Sequence, residues 1–299
     1  MSIRHEPVAN AIRRACFADV AACKPGNVAI GRPANAMAAD DFLLSADAIA
    51  GPLSKPQGGL GERIETAVEA TWQAVGCNTN LGIVLLLAPM AMAALPGPGW
   101  RGRLARVIAG ADANDGRALA RAIARMTPAG LGDVATADVR DPSFNATPLE
   151  AMTFAADRDL IARQYRDQFA DVFGLAARYV DARSRASHED ATTAVFLIQL
   201  AAAADSHICR KHGAVAGEQV RSEAAVLVAE LPSVGTWDTA SAQRIAAFDD
   251  ALRKRHYNPG TTADMTVAAV FAAELDAIED CRHNGGRPAF LIRRVGSSK

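Results

Sequence analysis

Aromatic residues are scarce in this chain: they make up 5% of its 299 residues, although half of the sequence is hydrophobic. Alanine supplies much of that half, in runs such as Ala201 to Ala204. Because alanine costs least to fix in a helix and β-branched residues are comparatively sparse, this composition favours closely packed helices over a sheet. An excess of charge of either sign is also missing. The formal net charge is −1 and the isoelectric point is near 6.6, so no overall field is available to hold nucleic acid or an acidic membrane surface. Cysteine pairing is absent as well: Cys16, Cys23, Cys77, Cys209 and Cys281 are scattered, with no C-x-x-C and no zinc-ligand spacing. They read as reduced thiols of a cytoplasmic protein.

No membrane span is expected. The longest apolar run, Leu81 to Leu95, contains Pro89 and is shorter than the roughly 20 residues that cross a bilayer. It reads instead as a helix buried on all sides. The first helix candidate carries Arg4, His5, Glu6, Arg13 and Arg14 and lacks the continuous apolar stretch of a signal peptide. Nucleotide signatures of the P-loop and Rossmann type are missing, as are G-x-S-x-G and H-E-x-x-H.

What is present is helical periodicity. Val8, Ile12, Cys16 and Val20 recur every four residues between Pro7 and Ala22, and Pro25-Gly26 stops the pattern. Asp40 or Asp41 can cap a helix through Phe42, Leu43 and Ile49, and Gly51, Pro52, Pro56, Gly58 and Gly59 read as the turn after it. A long amphipathic helix follows from Leu60 to Val75, with Glu62, Glu65 and Glu69 on or beside one face, ending at Gly76. After the buried run, Pro96-Gly97-Pro98-Gly99 is a turn, and two shorter helices are expected around Asn114-Asp115. Thr127 to Pro148 has no period. Further helices are expected from Leu149, over His188–Leu200, Gly217–Leu231, Ser241–Lys254 and Thr262–Ile278. The tail 282–299 reads as frayed, with Phe290-Leu291-Ile292 its only strand-like stretch. The expected product is an all-α, single-domain fold of about ten to twelve helices over residues 1–299.

Four polar clusters interrupt the apolar pattern at helix ends, where unpaired backbone N–H groups can face an anion. Lys24-Pro25-Gly26-Asn27 sets a cation beside a rigid turn, although a plain helix stop reads the same way. Asn78-Thr79-Asn80, ahead of Leu81-Gly82, offers more polar groups than a cap needs. Asp205 to Gly213 packs an acid, His207, Arg210, Lys211 and His212 into nine residues, suited to phosphate with magnesium or to a solvated helix end. Asn258-Pro259-Gly260-Thr261-Thr262-Ala263-Asp264 feeds a helix N-terminus. There Thr261 or Thr262 with Asp264 makes a capping box, and the same geometry could present a metal carboxylate.

In this order and setting the clusters, together with Asp41-Phe42, resemble the triphosphoribosyl-dephospho-CoA synthase family over most of the chain. The lyase-associated patterns K-P-G-L-V-D and N-T-H-K-G read here as Lys24-Pro25-Gly26-Asn27-Val28-Ala29 and Asn78-Thr79-Asn80-Leu81-Gly82, with Ala29 in place of the aspartate and Asn80-Leu81 in place of the His-Lys pair. In these the chain is similar to the branch found in methanogens and methylotrophs. The resemblance implies a transferase in which the 2′-hydroxyl of dephospho-CoA attacks the anomeric carbon of ATP and adenine leaves with the triphosphate retained. It implies Mg²⁺ held by Asp205 and Asp264, which with Glu69 are the candidate catalytic carboxylates. Lys24, Arg210 and Lys211 are the candidate phosphate cations, and Asn27, Asn78, Thr79, Asn80, Asn258 and Thr261 the orienting polar groups. Alternatives are a transferase acting on a one-carbon carrier precursor, a helical hydrolase of ribosyl bonds, and a catalytically silent scaffold that binds a nucleotide or a protein. A homodimer is left open.

Overall fold

Why the four-residue recurrence at the start of the chain folds as it does is visible at once: in α1 (His5–Ala21) Val8, Ile12 and Cys16 form the face turned into the core. The computed structural model describes residues 5–33, 37–126 and 145–283, and among them there are fourteen helices and no strand. After α1 come α2 (Ala39–Ser54), α3 (Leu60–Val75), α4 (Leu81–Ala94), α5 (Trp100–Ala109), α6 (Ala113–Met126) and α7 (Pro148–Ala155). Then follow α8 (Leu160–Arg166), α9 (Ala170–Arg183), α10 (His188–Ala202), α11 (Ser206–His212), α12 (Ala214–Glu230), α13 (Thr239–Lys254) and α14 (Gly260–His283). The count exceeds the expected ten to twelve because α7, α8 and α11 have only 8, 7 and 7 residues, too few for a period to register.

The turn expected at Gly51-Pro52 is corrected. α2 runs through both residues to Ser54, since Ala50 and Leu53 are packed in the core and hold the last turn in place. Gly76 ends α3 as expected, in the left-handed region at φ 68° with its N–H donating to Trp72 O. The irregular stretch from Thr127 lies outside the described residues up to position 144, and so does Phe290-Leu291-Ile292 in the tail.

α4 is the centre of the fold. All its residues except Met92 are buried, against α1, α2, α3, α5, α8 and α14. A helix interior leaves one difficulty, because Pro89 has no N–H and cannot serve the carbonyl of Leu85 four residues earlier. Tyr165 of α8 supplies the missing donor, its hydroxyl lying 2.6 Å from Leu85 O with the ring fully buried. The second long core element is α14, whose Ala268, Ala269, Ala272 and Ala273 let it lie close against α1, α4, α9 and α10. A smaller apolar cluster, including Phe196, Leu200, Ile208, Val220 and Leu252, gathers α10 to α13. Ala263 belongs to this cluster and Met265 to the main one, so the start of α14 lies on the seam between them. Among the described residues no single helix is long and apolar enough to cross a membrane.

Tyr165→Phe strands the Leu85 carbonyl and lowers stability by about 1–3 kcal/mol. In a Pro89→Ala background the alanine amide returns a donor to that carbonyl, so the same change costs less. A double-mutant cycle by urea unfolding measures this coupling; equal costs in both backgrounds would refute the account.

Candidate functional site

The seam is where the polar clusters meet. After α1 the chain turns at Pro25-Gly26, with Gly26 at φ 79°, and a Cβ there would stand 2.5 Å from the carbonyl of Tyr257. Only glycine lets this turn approach the loop before α14 so closely. Lys24 therefore points inward rather than at solvent. Its ammonium, fully buried, donates to Asp19 Oδ2 and to Asn27 Oδ1, each at 2.7 Å, and Asn27 Nδ2 donates in turn to Asn258 Oδ1 at 2.7 Å. Asp249 anchors the same turn by accepting from Gly26 N at 2.7 Å and from Arg253 Nε at 2.8 Å.

The capping box expected within 261–264 does not form, and this correction shapes the site. Asp205, fully buried, accepts at Oδ1 from the amides of His207 and Ile208 and at Oδ2 from Thr262 N and Thr262 Oγ1, at 2.7–3.0 Å. One carboxylate thus caps α11 and α14 together. Asp264 is released from that duty. Its carboxylate donates or accepts no hydrogen bond among the described residues and rests against the first turn of α4 and Ile161. A Cβ on Gly82 would stand 2.1 Å from Asp264 Oδ2, so the bare glycine makes room for the acid.

At the head of α4, Asn78 Oδ1 accepts from Leu81 N at 3.2 Å and is the cap. Thr79 joins Ser45 of α2 at 2.6 Å, and Asn80 Oδ1 accepts from Thr71 of α3 at 3.0 Å, which fixes the head of α4 against both helices. The amides of Gly82 and Ile83 have no protein acceptor among the described residues. Arg210 pairs with Asp159, the N-cap of α8, and Ser206 Oγ accepts from Leu160 N at 2.8 Å, so α8 closes another side.

Electrostatics single out the same acids. Burial holds Asp264 well above its ordinary value of 3.8, reinforced by Asp19 and Asp205 and opposed by Arg210 and Lys24. Burial likewise raises Asp19, against the pull of Lys24, and raises Asp205, against its hydrogen bonds. His207 lies over Gly260, and burial together with Arg210, Lys211 and His212 pushes it down to about 4. It is therefore a neutral imidazole at physiological pH.

Two of the sequence candidates stand apart. Glu69 pairs with Arg125 and Gln73 on the outer face of α3, as Glu65 does with Arg121. Lys211 is exposed in the last turn of α11, and Thr261 is buried beside the Asp205 cap. One member was missed. Asp19 has only 3% of its surface exposed, and its Oδ1 has no hydrogen-bond partner. Its position three residues after Cys16 puts it on the apolar face of α1, and a carboxylate on such a face was the signal available in the sequence.

Hard oxygen donors suit magnesium, and the orphaned Oδ1 of Asp19 and the unbonded carboxylate of Asp264 are such donors. Among the described residues no three His, Cys, Asp or Glu side chains stand together as a metal-holding set. A cation here would need oxygens from a bound phosphate as well.

A family model described as ATP:dephospho-CoA triphosphoribosyl transferase matches residues 5–283. The sequence has no significant match among curated proteins. By structure the chain is similar to an Archaeoglobus fulgidus protein described as a candidate triphosphoribosyl-dephospho-CoA synthase. The TM-score is 0.62 at 21% identity, over 78% of this chain and 97% of that one.

Because the native fold binds the Asp264 proton more tightly than the unfolded chain does, ionising that acid costs stability, and the cost grows as pH rises above the ordinary carboxylate range. Asp264→Asn therefore raises Tm in metal-free buffer at pH 8, and raises it less at pH 4. Calorimetric scans at the two pH values test this; a lower Tm for the variant at pH 8 would contradict it.

Proposed function

The chain belongs to the ATP:dephospho-CoA triphosphoribosyl transferase family and is a pentosyltransferase that uses ATP, and from that premise we propose that its chemistry takes place at the seam where α14 begins. In the family reaction the 2′-hydroxyl of dephospho-CoA forms a bond to the anomeric carbon of the ATP ribose while the bond to adenine breaks. The hydroxyl proton is taken up by a base, adenine leaves with the electron pair of the broken bond and is protonated to the neutral purine, which accounts for that proton overall, and the triphosphate stays on the transferred ribose. Such a step passes through an oxocarbenium-like state that an adjacent carboxylate stabilises.

The observation that carries the proposal is the unbonded carboxylate of Asp264 beside the free amides at the head of α4. Every other acid in the seam is engaged: Asp205 in two caps, Asp159 with Arg210 and α8, and Asp19 on one oxygen with Lys24. The amides of Gly82 and Ile83 suit a phosphate oxygen, as helix N-termini do. Arg210 adds positive charge toward the same ligand. Mg²⁺, when bound with ATP, would neutralise part of the triphosphate charge, with Asp264 as its protein ligand. Lys24 has a different part. Tied to Asp19 and Asn27, it balances the acids from behind and holds the 24–27 turn against Asn258.

Incubation with ATP, Mg²⁺ and dephospho-CoA is expected to release adenine in step with consumption of dephospho-CoA. Release without an acceptor would mark a hydrolase, and no release would remove the assignment of this seam. Gly82→Ala drives a methyl group into Asp264 and is expected to lower the rate at least tenfold while the protein stays folded by circular dichroism. An unchanged rate would place the chemistry elsewhere.

A further inference from the structure

Asp205 looks from the sequence like the natural second metal ligand beside Asp264, but its hydrogen bonds argue otherwise. An ionised carboxylate has about four lone-pair sites, and Asp205 receives four donors: two backbone amides at Oδ1, an amide and a hydroxyl at Oδ2. A cation could bind there only by opening the caps of α11 and α14. Asp19 is in the opposite condition. Lys24 occupies Oδ2 at 2.7 Å, while Oδ1 is buried and without a partner. A buried acceptor left without a donor destabilises the fold, a cost that a ligand on that oxygen would remove. Asp19 is also the charge that weighs most on Asp264, and α1, which carries Asp19, packs against both α14 and α4.

The charge balance agrees. Asp19, Asp159, Asp205 and Asp264 face two cations, Lys24 and Arg210. With every acid ionised, two negative charges remain, the complement of one divalent ion. Magnesium bound to a nucleotide usually takes only one or two carboxylates, the rest of its shell being phosphate oxygens and water, so two aspartates, one of them with a single open oxygen, suffice.

We infer that Asp19, and not Asp205, is the carboxylate that holds the divalent cation of a metal–triphosphate together with Asp264. This rests on the reading that the seam binds ATP with magnesium. Lys24 then orients Asp19 by holding its other oxygen, and the K-P-G-N turn contributes to the metal indirectly.

Calorimetric titration of ATP with Mg²⁺ and with EDTA gives, for each protein, the factor by which the metal tightens binding. The wild type is expected to show a gain of at least tenfold, Asp19→Asn and Asp264→Asn to lose it, and Asp205→Asn to keep it. Loss of the gain in Asp205→Asn with retention in Asp19→Asn would overturn the inference alone. No gain in the wild type would remove the magnesium reading and the inference with it. Should Asp19→Asn fail to fold by circular dichroism, the wild type decides through Fe²⁺ substituted for Mg²⁺ in the presence of ATP and ascorbate. Backbone cuts flanking residues 19 and 264 support the inference, and cuts flanking 205 and 264 without any at 19 overturn it.

Discussion

Lys24 carries its charge into an alanine-rich helical interior, and much of the architecture around the seam is arranged so that it can stay there. An ammonium stripped of water and left alone costs several kcal/mol, and removing one partner of such a pair costs about 3–5 kcal/mol. Asp19 meets it from α1, Asn27 from the following turn, and Asn258 closes the chain of hydrogen bonds from the loop that starts α14. Segments more than 230 residues apart in sequence are thereby held at hydrogen-bonding distance. Gly26, with no side chain to obstruct Tyr257, makes that approach sterically possible.

The second constraint is the use of Asp205 as a cap for two helices. In an isolated helix Thr261 or Thr262 would cap α14 and Asp264 would complete the box. Here the Asp205 side chain performs that service from α11, and a carboxylate that could have been consumed locally is left unbonded where three helices converge. Gly82 supplies the matching space on α4. A fold that only needed stability would gain by satisfying Asp264, so leaving it strained electrostatically fits a site that a ligand completes.

The helices were largely legible from residue pattern, because Leu81 to Ala94, the Val8–Ile12–Cys16 stripe and the Gly76 stop each express a local rule. The failures are equally physical. Pro52 looked like a stop, but core packing of Ala50 and Leu53 carried the helix past it. The four polar clusters were visible as a surplus at helix ends, yet their division of labour was not. Thr79 and Asn80 proved to be tertiary ties to α2 and α3, and Glu69 part of an outward-facing row of ion pairs. Asp19 escaped notice because an acid inside an apolar stripe reads as a break in the pattern until its partner Lys24 is placed. The Ala29 departure also has a structural setting: Ala29 is buried in a tight turn bridged to Arg32, where a carboxylate would have to be desolvated.

The central claim is that segments 24–27, 78–83, 205–210 and 258–264 form one ligand site. Amide hydrogen exchange followed by mass spectrometry, with and without Mg²⁺ and ATP, tests it most directly, because each segment reports separately. The account predicts slower exchange in all four on adding the nucleotide, strongest in the first turn of α4, and no change along the outer face of α3 around Glu69. Protection confined to one segment, or centred on α3 instead, would contradict it.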